Sequence, residues 1–164
     1  MSESLTLRKA IQLAITTEQL GTDFYMRMER KFSNQDNLKE FFGQMVKDEI
    51  AHEAQFKVIL KNAPEEEDEQ ERYELYQFLR ATAISEFFKE DHIRKMGDIT
   101  DAGEALTKAL AFEKSTLLFY QAIGDIIGSS DQLDAIIKAE RGHVLALMKV
   151  IVSDAKFRGL GDNW

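Results

Sequence analysis

Two glutamate–histidine pairs in this sequence have the residue types and the spacing to bind a metal ion. Glu49 precedes His52 by three residues, and Glu140 precedes His143 by the same spacing. Residues three apart lie on one face of an α-helix, so a carboxylate and an imidazole at this spacing can reach one cation. The chain contains only three histidines, and two of them fall in this arrangement.

Two further glutamates, Glu18 and Glu113, occupy matching places in two other segments of the chain. All four glutamates fall where the apolar repeat predicts a core-facing position. A carboxylate there loses its hydration at high cost unless it is paired, protonated or bound to a metal. The alternative is a buried network of ion pairs. No Lys or Arg shares these positions, so two histidines would have to offset four carboxylates, and the imbalance favours a metal.

The ligand types restrict which metal can bind. The chain contains no cysteine, which excludes thiolate ligands, disulfides and Cys-ligated iron–sulfur clusters. Carboxylates with imidazoles suit iron or manganese, and zinc is an alternative. Four carboxylates carry about four negative charges at neutral pH, enough for two divalent cations. We therefore predict two iron ions, or alternatively manganese or zinc, held by six residues: Glu18, Glu49, His52, Glu113, Glu140 and His143.

Two tyrosines share the stripe of the single glutamates. Tyr25 and Tyr120 come seven residues, two helical turns, after Glu18 and Glu113. Each phenol either hydrogen-bonds a ligand carboxylate, as support for the site, or is an ordinary core tyrosine with its hydroxyl satisfied elsewhere. The paired placement favours the supporting role.

Two small residues, Gly21 and Thr116, occupy the core-facing position one turn after the single glutamates. Small side chains there either leave room beside the metals for dioxygen or peroxide, or allow two helices to pack tightly. The first interpretation predicts that Gly21→Leu blocks small-molecule access and leaves metal loading intact.

The elements that position these residues are predicted to be α-helices. Pro64 is the only proline, and apolar residues recur alternately three and four apart. This repeat marks core-facing stripes in four segments: residues 7–32, 38–59, 106–127 and 133–150. Asn37 with Glu40, and Asp101 with Glu104, are predicted to cap the starts of the second and third helices.

The connections between the segments predict how the helices are arranged. Short links within each pair of segments predict two antiparallel hairpins. Between the hairpins lies a long crossover, about residues 62–100, which has a helical pattern of its own. The hairpins resemble each other, since residues 45–52 match residues 136–143. We predict an all-α fold with one domain over residues 1–164, built as a four-helix bundle with a partly helical crossover.

Composition and charge argue against several classes of protein. The net charge is −8 at neutral pH, which argues against a nucleic-acid binder. The best apolar run, residues 144–152, is short and interrupted by Lys149, which argues against a membrane span. The first residues lack the apolar core of a signal peptide, so a cytoplasmic location is predicted.

The chain resembles the rubrerythrin branch of the ferritin-like superfamily over all four bundle helices, but not over the crossover. The resemblance is carried by Glu18, residues 48–56 (DEIAHEAQF), residues 109–120 around Glu113, and residues 140–143 (ERGH). Bacterioferritins share the ligand order, whereas the tyrosines after both single glutamates are more similar to rubrerythrins. The resemblance implies a ferritin-like bundle with a non-haem di-iron site that reacts with hydrogen peroxide or dioxygen.

The chain departs from the family in three ways. Rubrerythrins of the usual kind carry a rubredoxin module with paired cysteines, and this chain has none. The resemblance therefore implies an external electron donor, such as a rubredoxin-like protein. Thr116 stands where the family has a further glutamate, the residue used in a peroxidase-type ligand switch. The crossover is long, and its aromatic residues Tyr73, Phe87 and Phe88 favour a homodimer or larger homo-oligomer.

These observations together predict a di-iron oxidoreductase that reduces hydrogen peroxide or dioxygen, with ferroxidase activity as a further expectation. The predicted roles are single carboxylate ligands for Glu18 and Glu113, bridges for Glu49 and Glu140, and terminal nitrogen ligands for His52 and His143. Two alternatives stay open. One is an iron-binding or storage protein, which requires a large shell, and the other is a bundle whose metal is purely structural.

Overall fold

The structure is a computed structural model that describes residues 5–65, 70, 72–83, 98–128 and 130–157. In this part of the chain it has five α-helices and no β-strand. The helices are α1 Leu7–Lys31, α2 Asp36–Asn62, α3 Tyr73–Ala83, α4 Ala102–Ile127 and α5 Asp131–Phe157. The predicted all-α class is therefore confirmed.

The helix ends follow local side-chain chemistry in most places. The Asp101 carboxylate accepts a hydrogen bond from the backbone N–H of Gly103 and caps α4, as predicted. The predicted cap at Asn37 is wrong, because α2 already begins at Asp36. The backbone carbonyl of Gln35 accepts the first helical hydrogen bond, from Lys39 N–H, and so places Asn37 inside the first turn.

The four long helices pack in two pairs that contact each other. Helix α1 packs along α2, and α4 packs along α5. Each pair is joined by a short turn, so its helices run in opposite directions. At the start of α1, Arg8 donates hydrogen bonds to the backbone carbonyls of Leu60 (3.3 Å) and Ala63 (2.8 Å), at the end of α2. Helix α2 also contacts α5, and α1 contacts α4.

Two apolar clusters fill the space between these helices. The first includes Ile11, Phe56, Phe119 and Ile136, and α3 packs on it through Tyr76 and Leu79. The second is made of buried residues such as Phe24, Met28, Phe42, Leu106 and Leu147. Along each long helix the glutamate of interest falls between residues of the two clusters, so a polar layer crosses an otherwise apolar core.

Part of the predicted crossover is helical. Helix α3 lies within it, and Tyr73 at its start is 63% exposed. Phe87 and Phe88, the other aromatic residues expected to favour self-association, lie outside the described residues. Among the helices that the structure describes, none combines the length and apolar character needed to cross a membrane.

Candidate metal centre

The six predicted ligands meet in the polar layer between the two apolar clusters. They form two overlapping groups, and within each group one ligand atom per residue lies within 4.8 Å of the others. The groups are Glu18, Glu49, His52 and Glu140, and Glu49, Glu113, Glu140 and His143. All six residues are buried. Glu49 and Glu140 belong to both groups, so they lie where one carboxylate can contact two cations.

The four long helices each contribute one or two of these six ligands. Helices α2 and α5 each supply a glutamate and the histidine three residues later, which lie on one helical face. Helices α1 and α4 supply single glutamates. Because the four helices pack around one core, side chains that are far apart in sequence point into the same space.

The cluster contains an unusual number of buried polar atoms without hydrogen-bond partners. Among the described residues, seven such atoms belong to the six side chains. They are Oε2 of Glu18, Oε1 of Glu49, Nδ1 of His52, Oε2 of Glu113, both carboxylate oxygens of Glu140, and Nδ1 of His143. Buried polar atoms are normally hydrogen-bonded, because leaving one unpaired costs about 1–3 kcal/mol. Seven in one place fit a set of donor atoms for metal ions.

Both imidazoles face the carboxylates through the same ring nitrogen. Nδ1 of His52 lies 2.7 Å from Oε1 of Glu140 and 3.6 Å from Oε2 of Glu18, although neither contact is aligned as a hydrogen bond. Nδ1 of His143 lies 3.5 Å from Oε2 of Glu113, 3.5 Å from Oε2 of Glu140 and 3.6 Å from Oε1 of Glu49. Each histidine is therefore oriented to share an ion with the carboxylates of its group.

Proton affinities in the cluster are strongly shifted. Burial raises the pKa of Glu18 and Glu49, and raises that of Glu113 to about 8, with neighbouring carboxylates adding to the effect. Burial opposes the charged form of the histidines, but the nearby carboxylates outweigh it. They raise the pKa of His52 to about 9 and that of His143 to about 11. Without metal, the cluster therefore balances its negative charge by holding protons.

The two tyrosines hold carboxylates of the opposite hairpin. The hydroxyl of Tyr25 on α1 donates to Oε1 of Glu113 on α4, and the hydroxyl of Tyr120 on α4 donates to Oε1 of Glu18 on α1. Burial and the adjacent glutamates raise both tyrosine pKa values well above the usual value, so each phenol remains a donor. The crossed bonds leave the second oxygen of each glutamate directed at the cluster.

Asp48 is a site residue that the sequence analysis did not single out. Its Oδ2 lies 3.2 Å from Nε2 of His143, on the side of the ring that faces away from the cluster. Its Oδ1 accepts a hydrogen bond of 2.8 Å from Nε2 of Gln44. Its position directly before Glu49 is the only signal in the sequence, and the contact with α5 becomes visible only once the helices are packed.

A surface groove of about 500 Å³ lies between α2 and α5 and reaches both histidines. We call it the α2–α5 groove. Its α2 wall carries Phe41, Gln44, Met45, Asp48, Ala51 and Gln55, and its α5 wall carries Ala135, Ala139, Gly142 and Ala146. The groove therefore reaches the outer edges of the two imidazoles, while none of the four glutamates lines it.

The space next to Gly21 is taken up by Glu49. A Cβ atom at residue 21 would overlap Oε2 of Glu49 and would lie 3.2 Å from both Cδ of Glu49 and Cε1 of Phe112. Of the two interpretations for Gly21, tight packing therefore applies. For Gly21→Leu, a fall in metal loading is now expected, because a side chain at this position displaces the carboxylate of Glu49.

A Gly21→Ala variant is expected to bind metal more weakly and to lose about 1–3 kcal/mol of stability through overpacking. Metal analysis and chemical unfolding would measure the two effects. The matched control is Gly124→Ala on α4, where a Cβ atom would make ordinary contacts of 3.5–3.6 Å. There a gain of about 0.5–1 kcal/mol in helix stability is expected. Equal metal content in both variants would contradict the proposed packing of Glu49.

The hydroxyl of Thr116 is bonded within its own helix. The residue is buried, and its hydroxyl donates a 2.9 Å hydrogen bond to the backbone carbonyl of Phe112, one turn earlier.

The fold and the site define an all-α protein with a buried glutamate–histidine cluster that could hold a metal ion. Comparison with known proteins yields no matching family model, no matching curated protein and no matching solved structure. The function of the chain must therefore be argued from the chemistry of this cluster.

Proposed function

We propose that this protein is a rubrerythrin-like member of the ferritin-like superfamily, a di-iron oxidoreductase that reduces hydrogen peroxide or dioxygen. Its electrons would come from an external donor, such as a rubredoxin-like protein. The observation that supports the proposal is the pair of overlapping ligand groups that share Glu49 and Glu140. Four glutamates and two histidines from four helices are the ligand set of ferritin-like di-iron bundles.

The assignment of ligands follows the two groups. Glu18 and His52 would hold one ion, and Glu113 and His143 would hold the other. Glu49 and Glu140 would serve both, since each lies in both groups. Two divalent cations would neutralise the four carboxylates, which otherwise have only two histidines as cationic partners within the described part of the chain. Iron and manganese suit this mixture of oxygen and imidazole ligands.

A bound pair of ferrous ions would supply two electrons, the number that converts one hydrogen peroxide and two protons into two waters. The protein's own residues prepare the site for this chemistry. Tyr25 and Tyr120 orient Glu113 and Glu18 through their hydrogen bonds. The apolar clusters on either side keep bulk water away from the ligands.

The α2–α5 groove favours a reactive site over a purely structural one. Structural metal sites are fully coordinated by protein ligands, whereas catalytic sites keep a coordination position for water or substrate, which must be able to reach it. The groove reaches His52 and His143, and its α5 wall consists of alanine and glycine. Small oxidants such as peroxide or dioxygen suit such a site, whereas large substrates could not reach the glutamates because these are buried.

The test is to load the protein anaerobically with ferrous iron, mix it rapidly with hydrogen peroxide, and record the absorption spectrum and peroxide consumed. We expect oxidation of the iron, with one peroxide consumed for every two ferrous ions. Zinc-loaded protein is the control, because zinc has no redox chemistry. Bound iron that shows no optical change would mean a structural metal. Growth into a large mineral-filled shell, measured by size after iron loading, would mean storage.

A further inference from the structure

The two walls of the α2–α5 groove are related by the internal repeat, but they differ in polarity. The match that pairs Glu49 with Glu140 also pairs four residues of the α2 wall, Gln44, Asp48, Ala51 and Gln55, with the four small residues of the α5 wall. The α2 wall presents Gln44, Asp48 and Gln55, and their counterparts are Ala135, Ala139 and Ala146. A Cβ atom at Gly142 would meet no atom within 4 Å, so the α5 wall is also open.

This difference gives the two histidines unequal support. Nε2 of His143 faces Asp48 at 3.2 Å, and Gln44 holds the other oxygen of Asp48. For His52, the corresponding position is Ala139, which has no carboxylate to offer. Among the described residues no side chain hydrogen-bonds Nε2 of His52, although its Nδ1 faces the cluster as that of His143 does.

We infer that the two metal positions are unequal, and that the position of Glu113 and His143 binds its ion more tightly and is filled first. The position of Glu18 and His52 is then the weaker and exchangeable one. This inference rests on the proposed function, because it requires that the cluster hold two ions. It goes beyond it by ranking the positions and by naming Asp48 as a positioning residue.

The physical reason lies in the outer nitrogen of each imidazole. A carboxylate that accepts the Nε2–H of a histidine fixes the tautomer with its lone pair on Nδ1, orients the ring and makes Nδ1 more basic. Asp48 can orient the ring of His143 before any metal arrives, and it keeps the remaining proton on Nε2 once a metal displaces the one on Nδ1. Within the described residues His52 has no such partner, so part of the binding free energy at its position is spent on selecting the tautomer and the ring orientation.

The test is an anaerobic titration of the metal-free protein with manganese(II) or ferrous iron, followed by calorimetry. For the parent protein we expect two binding steps. Their dissociation constants should differ by more than those of two identical, independent sites. Asp48→Ala is expected to weaken the tighter step about 10–100-fold, the usual effect of losing such a partner. Ala139→Asp is expected to strengthen the weaker step, because it adds the missing carboxylate beside His52.

A control variant and circular dichroism separate this effect from a general loss of structure, and diffraction locates the first ion. Asp125→Ala on α4 is the matched control, since Asp125 is exposed and outside the groove, and both steps should stay as in the parent. The side chain of Asp48 is 37% exposed, so circular dichroism of Asp48→Ala should match that of the parent. At one equivalent of manganese, anomalous diffraction from crystals should place the ion beside Glu113 and His143.

The inference is overturned by two equal binding constants, by an Asp48→Ala variant with both constants unchanged, or by an ion found first beside Glu18 and His52. None of these outcomes affects the proposed two-metal centre, since two ions still bind. A protein that binds no metal in the titration would instead contradict the proposed function itself. The two failures are therefore distinguishable in one set of experiments.

Discussion

A Glu49→Gln variant is expected to lose stoichiometric metal binding and, at the same time, to be more stable than the parent when both are metal-free. Glu49 lies in both ligand groups, so its loss removes a charged donor from both of the proposed metal positions. The loss in affinity should exceed the about 10–100-fold that follows from losing an outer hydrogen-bond partner. Metal analysis after dialysis against ferrous iron measures the first effect.

The gain in stability has an electrostatic cause. Burial raises the pKa of Glu49 well above its usual value, and the charges of Glu18, Glu113 and Glu140 add to this. Without metal, the ionised form is therefore unfavourable in the folded protein. An amide of the same size is neutral at every pH and leaves no cavity, so the variant avoids the cost that the raised pKa represents; a gain on the order of 1 kcal/mol, the free energy of about one pKa unit, is expected. Chemical unfolding in the presence of a chelator measures this gain.

Glu53→Gln is the matched control for this variant. Glu53 lies on the same helix, but its carboxylate binds Lys57 (2.6 Å) and Gln19 (2.9 Å) on the surface, and these partners lower its pKa. The control should bind as much iron as the parent and differ little in stability. If Glu49→Gln retained the iron content of the parent, the ligand assignment would be wrong.

The second large effect is a change with pH in the stability that metal confers. In the metal-free protein, Glu113 has a pKa of about 8, so between its ordinary value of about 4.5 and pH 8 the folded state holds a proton that the unfolded state has released. Stability therefore falls as the pH rises through this window. His52 and His143, with pKa values of about 9 and 11, extend the fall above about pH 6.5. Glu140 acts oppositely, since its pKa is lowered and its contribution is lost in acid.

Metal ions must displace these protons, so metal affinity is expected to rise with pH while the metal-free protein becomes less stable. Melting temperatures of chelated and manganese-loaded protein, compared from about pH 5 to about pH 8, should therefore diverge. At a free metal concentration of 100 times the dissociation constant, one occupied site adds about 2.7 kcal/mol to the free energy of unfolding. A difference between the two forms that stays constant over this range would refute proton displacement. In metal-free Glu113→Gln, the fall in stability between about pH 5 and pH 8 should be smaller.

Much of the site could be predicted from the sequence because its signals are local. Glu49 and His52 share a helical face whatever the helix packs against, and the same holds for Glu140 and His143. A glutamate in an apolar stripe is also informative, because a buried carboxylate must be paired, protonated or bound to a metal. The tyrosines follow from the same periodicity, but their crossed partners do not, because each hydroxyl reaches the other hairpin.

Other features depend on which atoms meet across a helix contact. Gly21 was equally compatible with open space or with tight packing, and the position of Glu49 on α2 decided for packing. Asp48 looks like any exposed helix residue until α5 brings His143 to it. The cap predicted at Asn37 is wrong because α2 begins earlier: the backbone carbonyl of Gln35 accepts its first helical hydrogen bond, from Lys39 N–H.

The sequence by itself determined the helical class, the residues with metal-binding chemistry and the side of each helix on which they lie. Its repeating period and the cost of burying charge act within a single helix and need no neighbour. Only the tertiary structure decided that the six side chains meet, that Glu49 and Glu140 belong to both groups, and that Asp48 supports one histidine and not the other. These depend on the register between helices, which arises from packing between segments far apart in the chain and leaves no local mark on the sequence.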